Sequence, residues 1–144
     1  MIVLDTNVVS EVFRPQPDAR VVSWLESLTG DVAITAITLA ELLAGLRRLP
    51  EGRRKSTMTM TIETALQPYK GTWSVLAFDA AAADHYAAVF AGREEVGLPI
   101  SMADAQIAAI CRVHAATYAT RNTKDFAGAG VELINRWTVH SHAS

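Results

Sequence analysis

Short apolar runs recur along the chain, and the first three are each followed by segments of helical spacing. The runs are residues 2–4, Val32–Thr35, Ser74–Phe78, Thr117–Thr120 and Val131–Ile134. Apolar stretches this short, without alternation, read as strands buried on both faces. Between them the spacing predicts helices over residues 6–13, Asp18–Leu28, Thr38–Leu49, about Arg53–Gln67, Ala80 to about Val96 and Ser101–His114. Thr29-Gly30-Asp31 reads as a turn and Asp18 as an N-cap. Alternation of strand and helix predicts an α/β fold: a three-layer α/β/α domain with a short-stranded parallel sheet flanked by helices. The 144 residues show no repeat, low-complexity tract or linker, so a single domain over 1–144 is expected.

The first run ends in an acid. Met1-Ile2-Val3-Leu4 delivers Asp5 to the C-terminal end of the first strand, the end at which open α/β sheets bind ligands. Three more acids map to the same edge. Glu41 follows the second strand, Asp104 opens the helix before the fourth, and Asp125 follows the fourth. Each also has a plain structural explanation. Thr38/Glu41 and Ser101/Asp104 have capping-box spacing, Asp5 fits an N-cap, and Asp125 fits an Asx-turn. Asp79 reads as the N-cap of the helix from Ala80. Taken together, four carboxylates on one edge would repel and raise each other's pKa unless a cation offset them. An all-oxygen donor set favours a hard ion, Mg²⁺ or alternatively Mn²⁺.

The remaining features bound the function. Net charge is −2 and pI about 6.1, so nucleic-acid contact by bulk electrostatics is not expected; it would need a local patch or a metal. The single cysteine, Cys111, excludes an intrachain disulfide and is expected in the core. His85, His114, His140 and His142 lack metal-ligand spacing. No basic n-region precedes the four-residue apolar start, and no stretch approaches the ~18 apolar residues of a membrane span, so a cytoplasmic protein without membrane association is expected. The stretch Arg47 to Lys70 is basic and fits either a solvated helix face or a contact to RNA or a partner. Arg121 stands beside the acidic edge as a candidate RNA contact, with an ion pair to a neighbouring acid as the alternative. Trp24 and Trp137 read as core, and Trp73 as partly exposed.

With these motifs in order, the chain resembles the PIN-domain family, particularly its VapC-type and FitB-like toxins. The resemblance rests on MIVLDTN with Val8-Val9-Ser10-Glu11 after it, TLAELLAGL, ADAQIAA and TRNTKDF, and spans essentially the whole chain. It implies a Mg²⁺-dependent endoribonuclease, the toxin of a type II toxin–antitoxin pair, that hydrolyses RNA phosphodiesters with metal-activated water. The family's four acids correspond to Asp5, Glu41, Asp104 and Asp125, with Asp5 and Asp104 as direct ligands. Asn7, Thr120 and Asn122 match supporting positions. The implied partners are RNA, a cognate antitoxin, DNA only through that antitoxin, and a second copy in a homodimer; the Ala and Leu residues between 36 and 67 fit either an apolar groove between the first helices for an antitoxin's helical segment or a buried core. Alternatives are a PIN scaffold used only for binding and an Asp-based phosphatase. The haloacid-dehalogenase type of the latter would want a second Asp where Asn7 stands, and a phospho-receiver would want paired acids at the first strand.

Overall fold

Both faces of each central strand are buried, and this explains the continuous apolar runs. The computed structural model describes residues 1–66 and 73–138. Strands β1 (Ile2–Leu4), β2 (Val32–Thr35), β3 (Trp73–Leu76), β4 (Thr117–Ala119) and β5 (Glu132–Ile134) form one sheet in the order β3-β2-β1-β4-β5. Every pairing is parallel, with Val3 opposite both Ala33 and Tyr118, and Leu4 opposite Ala119. Successive side chains therefore point to opposite layers. Val3, Ala33 and Tyr118 join the core beneath α5 (Ala80–Glu95) and α6 (Met102–Val113). Leu4, Ile34 and Ala119 join a second core with Val8 and Val9 of α1 (Thr6–Glu11), Val21 of α2 (Ala19–Ser27), Leu42 of α3 (Ala36–Arg48), and Trp137. The architecture is the three-layer α/β/α arrangement expected.

The helix ends differ from expectation in physically readable ways. The first helix stops at Glu11, not residue 13, because Phe13 and Arg14 bond back to Ser10 and Glu11 in a tight turn ahead of Pro15. The helix expected from Thr38 begins at Ala36, since Thr35 supplies the cap: its Oγ1 accepts from Thr38 N at 3.0 Å. Helix α4 spans Arg53–Leu66. Strand β3 ends at Leu76 rather than Phe78, where the register against β2 runs out at Thr35. Asp18 and Asp79 cap α2 and α5 as read from the sequence. A one-turn helix, α7 (Thr123–Phe126), was not anticipated. Lys70, His140 and His142 lie outside the described residues, as does the side chain of Trp73. Among the described residues no helix is long and apolar enough to cross a membrane.

Helices α5 and α6 run antiparallel. His85 of α5 lies with Thr117 and Glu132 at the starts of β4 and β5, whereas Arg93 reaches the Ala127 carbonyl beyond the other end. Helix α6 leads directly into β4, so its N-terminus returns to the C-terminal edge of the sheet. Cys111 on α6 is fully buried, and burial pushes its thiol up to about 12, with the Asp5 charge adding to the shift. A thiol held protonated in this way is a packing residue.

Glu11 is the main polar clamp of the α1 layer. It is 3% exposed and accepts from the Asp18 backbone N–H at 2.7 Å and from Arg14 Nη1 at 3.2 Å. The Asp18 hydrogen bond is the main influence lowering its pKa; partial desolvation opposes it and Arg14 assists. A carboxyl lowered in the folded state adds stability above its unfolded value, and that stability is lost as pH falls through the folded value. Glu11→Ala leaves the Asp18 N–H without its acceptor. It is expected to cost about 1–3 kcal/mol in denaturant unfolding at pH 7, and the deficit should shrink as the medium becomes acidic.

Candidate active site

The chain reverses direction across the sheet between β1 and β4, which makes their C-terminal ends the topological switch point. Asp5 stands there, 9% exposed. Its Oδ1 accepts from Thr6 N at 2.6 Å, capping α1, and its Oδ2 accepts from Thr120 Oγ1 at 2.6 Å, immediately past β4. The capping explanation for Asp5 is thus correct for one oxygen only. Thr120 is fully buried and its hydroxyl also accepts from Asn122 N at 3.0 Å, so the loop after β4 is built around the Asp5 carboxylate. Asn7 closes the same loop by accepting from Arg121 N at 3.3 Å. Of the three supporting residues named from the sequence, Thr120 contacts Asp5 directly, while the Asn7 side chain and the Asn122 backbone N–H brace the loop that carries Thr120.

Glu41 lies on α3 with its side chain toward α1, where Oε1 accepts from Thr6 Oγ1 at 2.9 Å. The Thr38/Glu41 capping box is not formed, because Thr35 holds that role and Thr38 is buried. Asp104 is the third residue of α6, whose cap is Ser101, with Asp104 N donating to Ser101 Oγ at 3.1 Å. Asp125 is the third residue of α7, not part of an Asx-turn, and is exposed. Asp5, Asp104 and Asp125 thus all sit at helix N-termini, where the helix dipole favours anions.

Electrostatics tie the four together. The Asp104 carboxyl is raised above its ordinary value, first by burial and then by the charges of Asp125, Asp5 and Glu41; the Ser101 hydrogen bond opposes these. Among the described residues, none of the four acids forms an ion pair. Arg121, for which such a pair was one expectation, instead places its guanidinium 5.3 Å from the Trp137 ring centroid. As the side chains stand, no three acids, histidines or cysteines among the described residues are close enough to hold a metal ion. The chemistry of the donor set still suits a hard cation: the neighbouring charges that raise Asp104 are all carboxylates, and among the described residues no cationic side chain pairs with any of the four.

Two contributors were missed from the sequence. Thr6 serves Asp5 through its N–H and Glu41 through its hydroxyl, and its position directly after the acid was the available signal. Tyr118 is fully buried, and burial together with the Asp5 charge pushes its phenol well above the ordinary tyrosine value. Its hydroxyl has no hydrogen-bond partner among the described residues. Beside Glu41 opens a groove of about 420 Å³, lined mainly by apolar side chains including Phe13, Leu42, Leu46, Met58 and Ile62. In the basic stretch, Lys55 is paired with Glu51 at 2.7 Å, while Arg47, Arg48, Arg53 and Arg54 are exposed.

Comparison with known proteins agrees with this architecture. The model of the PIN domain matches residues 2–131. The chain is 42% identical to the toxin FitB of Neisseria gonorrhoeae, over 95% of this chain and 99% of that protein. It is 38% identical to the VapC ribonuclease Y4jK of Sinorhizobium fredii, over 95% and 98% of the two chains. The solved structure of FitAB bound to an IR36 DNA fragment superposes with a TM-score of 0.90 at 41% identity, covering 99% of this chain and 100% of that one. The sheet order, the covered faces and the full-length similarity lead to one assignment: the chain belongs to the PIN-domain family.

Proposed function

We propose that this protein is a Mg²⁺-dependent endoribonuclease that acts as the toxin of a toxin–antitoxin pair. The observation that carries the reading is the gathering of Asp5, Glu41, Asp104 and Asp125 at one sheet edge, with Asp104 raised by burial and then by the charges of the other three, and no described cation paired to any of them. The names of the relatives, a toxin and a ribonuclease at about 40% identity, support the same activity.

Asp5 and Asp104 would hold the ion, with Glu41 and Asp125 completing the site. Mg²⁺ bound there supplies Lewis-acid activation of water and charge stabilisation at the scissile phosphodiester; Mn²⁺ would serve similarly. The chain's own residues fix the site. Thr120 and the Thr6 N–H leave Asp5 little rotational freedom, since each of its oxygens already holds one donor. The Thr6 hydroxyl orients Glu41. The Ser101 cap sets the first turn of α6 and thus the approach of Asp104. Glu41 and Asp125 are the more exposed pair and face the side from which RNA would arrive.

The groove beside Glu41 is where an antitoxin segment would lie, presenting an apolar helix face next to the acids. The solved relative, FitAB bound to an IR36 DNA fragment, supports an antitoxin partner, through which this chain would reach DNA. A homodimer in the cytoplasm completes the proposal. Purified protein is expected to cleave single-stranded RNA with Mg²⁺ or Mn²⁺ and to stop in EDTA. Expression alone is expected to arrest growth, and co-expression of the neighbouring small reading frame to relieve it. Cleavage that continues unchanged in EDTA would count against the metal-dependent reading, and RNA binding with no cleavage under any divalent ion would favour a binding-only scaffold.

A further inference from the structure

Past the C-terminal ends of β4 and β5, on the same edge as the acids, two arginines are each held on a tryptophan. The strand ends are level, since Thr120 N donates to the Ile134 carbonyl at 3.0 Å. Arg121 follows Thr120, and its guanidinium lies 5.3 Å from the Trp137 centroid. Arg136 follows two residues after Ile134, and its guanidinium lies 5.4 Å from the Trp24 centroid. Asn135 joins the two turns: its Nδ2 donates to the Arg121 carbonyl at 3.4 Å, and its Oδ1 accepts from Trp137 N at 2.9 Å. Two other arginines of this layer are engaged with carboxylates, Arg14 with Glu11 at 3.2 Å and Arg20 with Asp18 at 2.9 Å. Arg121 and Arg136 pair with no acid among the described residues, and the buried Nε of Arg136 has no acceptor there.

A free cation one residue from Thr120 would be drawn to the carboxylate cluster and would quench it. A cation–π contact with an indole ring engages the guanidinium without neutralising its charge, and leaves its terminal N–H groups to meet a phosphate oxygen. We propose that Arg121 and Arg136, on Trp137 and Trp24, form a two-cation cradle for the phosphodiester backbone of the substrate, so that RNA crosses the acidic edge on its β4–β5 side. The proposal rests on the ribonuclease reading for the identity of the ligand. An RNA strand suits the place better than an acidic peptide, because the four neighbouring carboxylates repel either polyanion, and only a phosphodiester is acted on by the ribonuclease centre proposed there. These arginines are positioning residues, not catalytic ones.

The test uses the full chain and a fluorescein-labelled, unstructured single-stranded RNA. Binding is measured in the Asp5→Asn background across a salt series, and steady-state cleavage in the otherwise wild-type protein. Each phosphate contact on a single strand contributes about 0.7 to the slope of log K against log salt. Arg121→Ala and Arg136→Ala should therefore each reduce the slope by about 0.7, and the double variant by about 1.4. KM should rise while kcat holds. Arg121→Lys should recover the slope without the full affinity. Trp24→Leu should weaken binding with the slope unchanged, and Arg20→Ala, which removes an ion-paired arginine of the same layer, should leave both unchanged. Thermal melts confirm folding of each variant.

If wild type cleaves RNA and the double variant keeps its slope and KM, the cradle is wrong and the nuclease reading stands. If wild type binds RNA with an arginine-dependent slope but cleaves none, the cradle stands and the nuclease reading fails. Absence of any RNA binding overturns both. Tighter arginine-dependent binding of an oligoglutamate of matched charge than of RNA also overturns the cradle.

Discussion

Asp5→Asn is expected to lower RNA cleavage by about 10³-fold or more, the consequence of losing several kcal/mol of charge stabilisation at the reacting phosphate. The loss should come without unfolding. An amide oxygen can take the Thr6 N–H that Oδ1 accepts, and the amide NH₂ can donate to Thr120 Oγ1 in place of the bond at Oδ2. Thr120 retains lone-pair capacity beside its bond from Asn122 N. The buried Thr120 O–H loses its acceptor in this exchange, so the stability change should stay within about 1–3 kcal/mol. A variant that melts near the wild-type temperature yet is inactive separates the chemistry of Asp5 from its role as the cap of α1.

Asp104→Asn should be equally inactive and, unlike most substitutions, more stable than wild type. The Asp104 carboxyl is raised by burial and by the three neighbouring acids. The sign follows from linkage. An acid whose folded value is raised contributes nothing unfavourable while protonated in both states, and costs stability as pH rises from its unfolded value through its folded value. Above its folded value the ionised wild-type carboxylate carries this cost, and the asparagine variant does not. Its melting temperature should therefore exceed that of wild type at pH 7, and the two should converge in acid. Added Mg²⁺ should reverse the order, because an ion bound only by the folded wild type stabilises it by mass action.

The parts of this structure that the sequence made legible are those governed by local pattern. Ile2–Leu4 and Val32–Thr35 read as strands because both faces are buried, and Asp5 stood out because it ends such a run. Asp18, Asp79 and Ser101 read as caps because capping needs a short polar side chain at one fixed place. The rest depends on contacts across the fold. Thr35 and Thr38 are both suited to cap α3, and only the position of β2 decides between them. Helix α7 is a single turn and has no periodicity to detect. Tyr118 comes next to Asp5 because β4 pairs with β1, a neighbourhood unrelated to sequence distance. Arg121 could be placed beside the acids but not over Trp137, since stacking across a strand and a turn leaves no spacing to read. The four acids were legible as a set because the alternation of elements fixes which ends share an edge. Which atoms hold each of them, Thr6 and Thr120 above all, required the structure.

If the carboxylate edge is the proposed cation-dependent ribonuclease centre, the deciding quantity is the initial rate of cleavage of one labelled single-stranded RNA by purified wild-type and Asp5→Asn proteins, each with Mg²⁺ and each with EDTA. Cleavage by wild type in Mg²⁺ alone, with the other three reactions at background, is the predicted result. Comparable rates in EDTA, or in the Asp5→Asn protein, would contradict it.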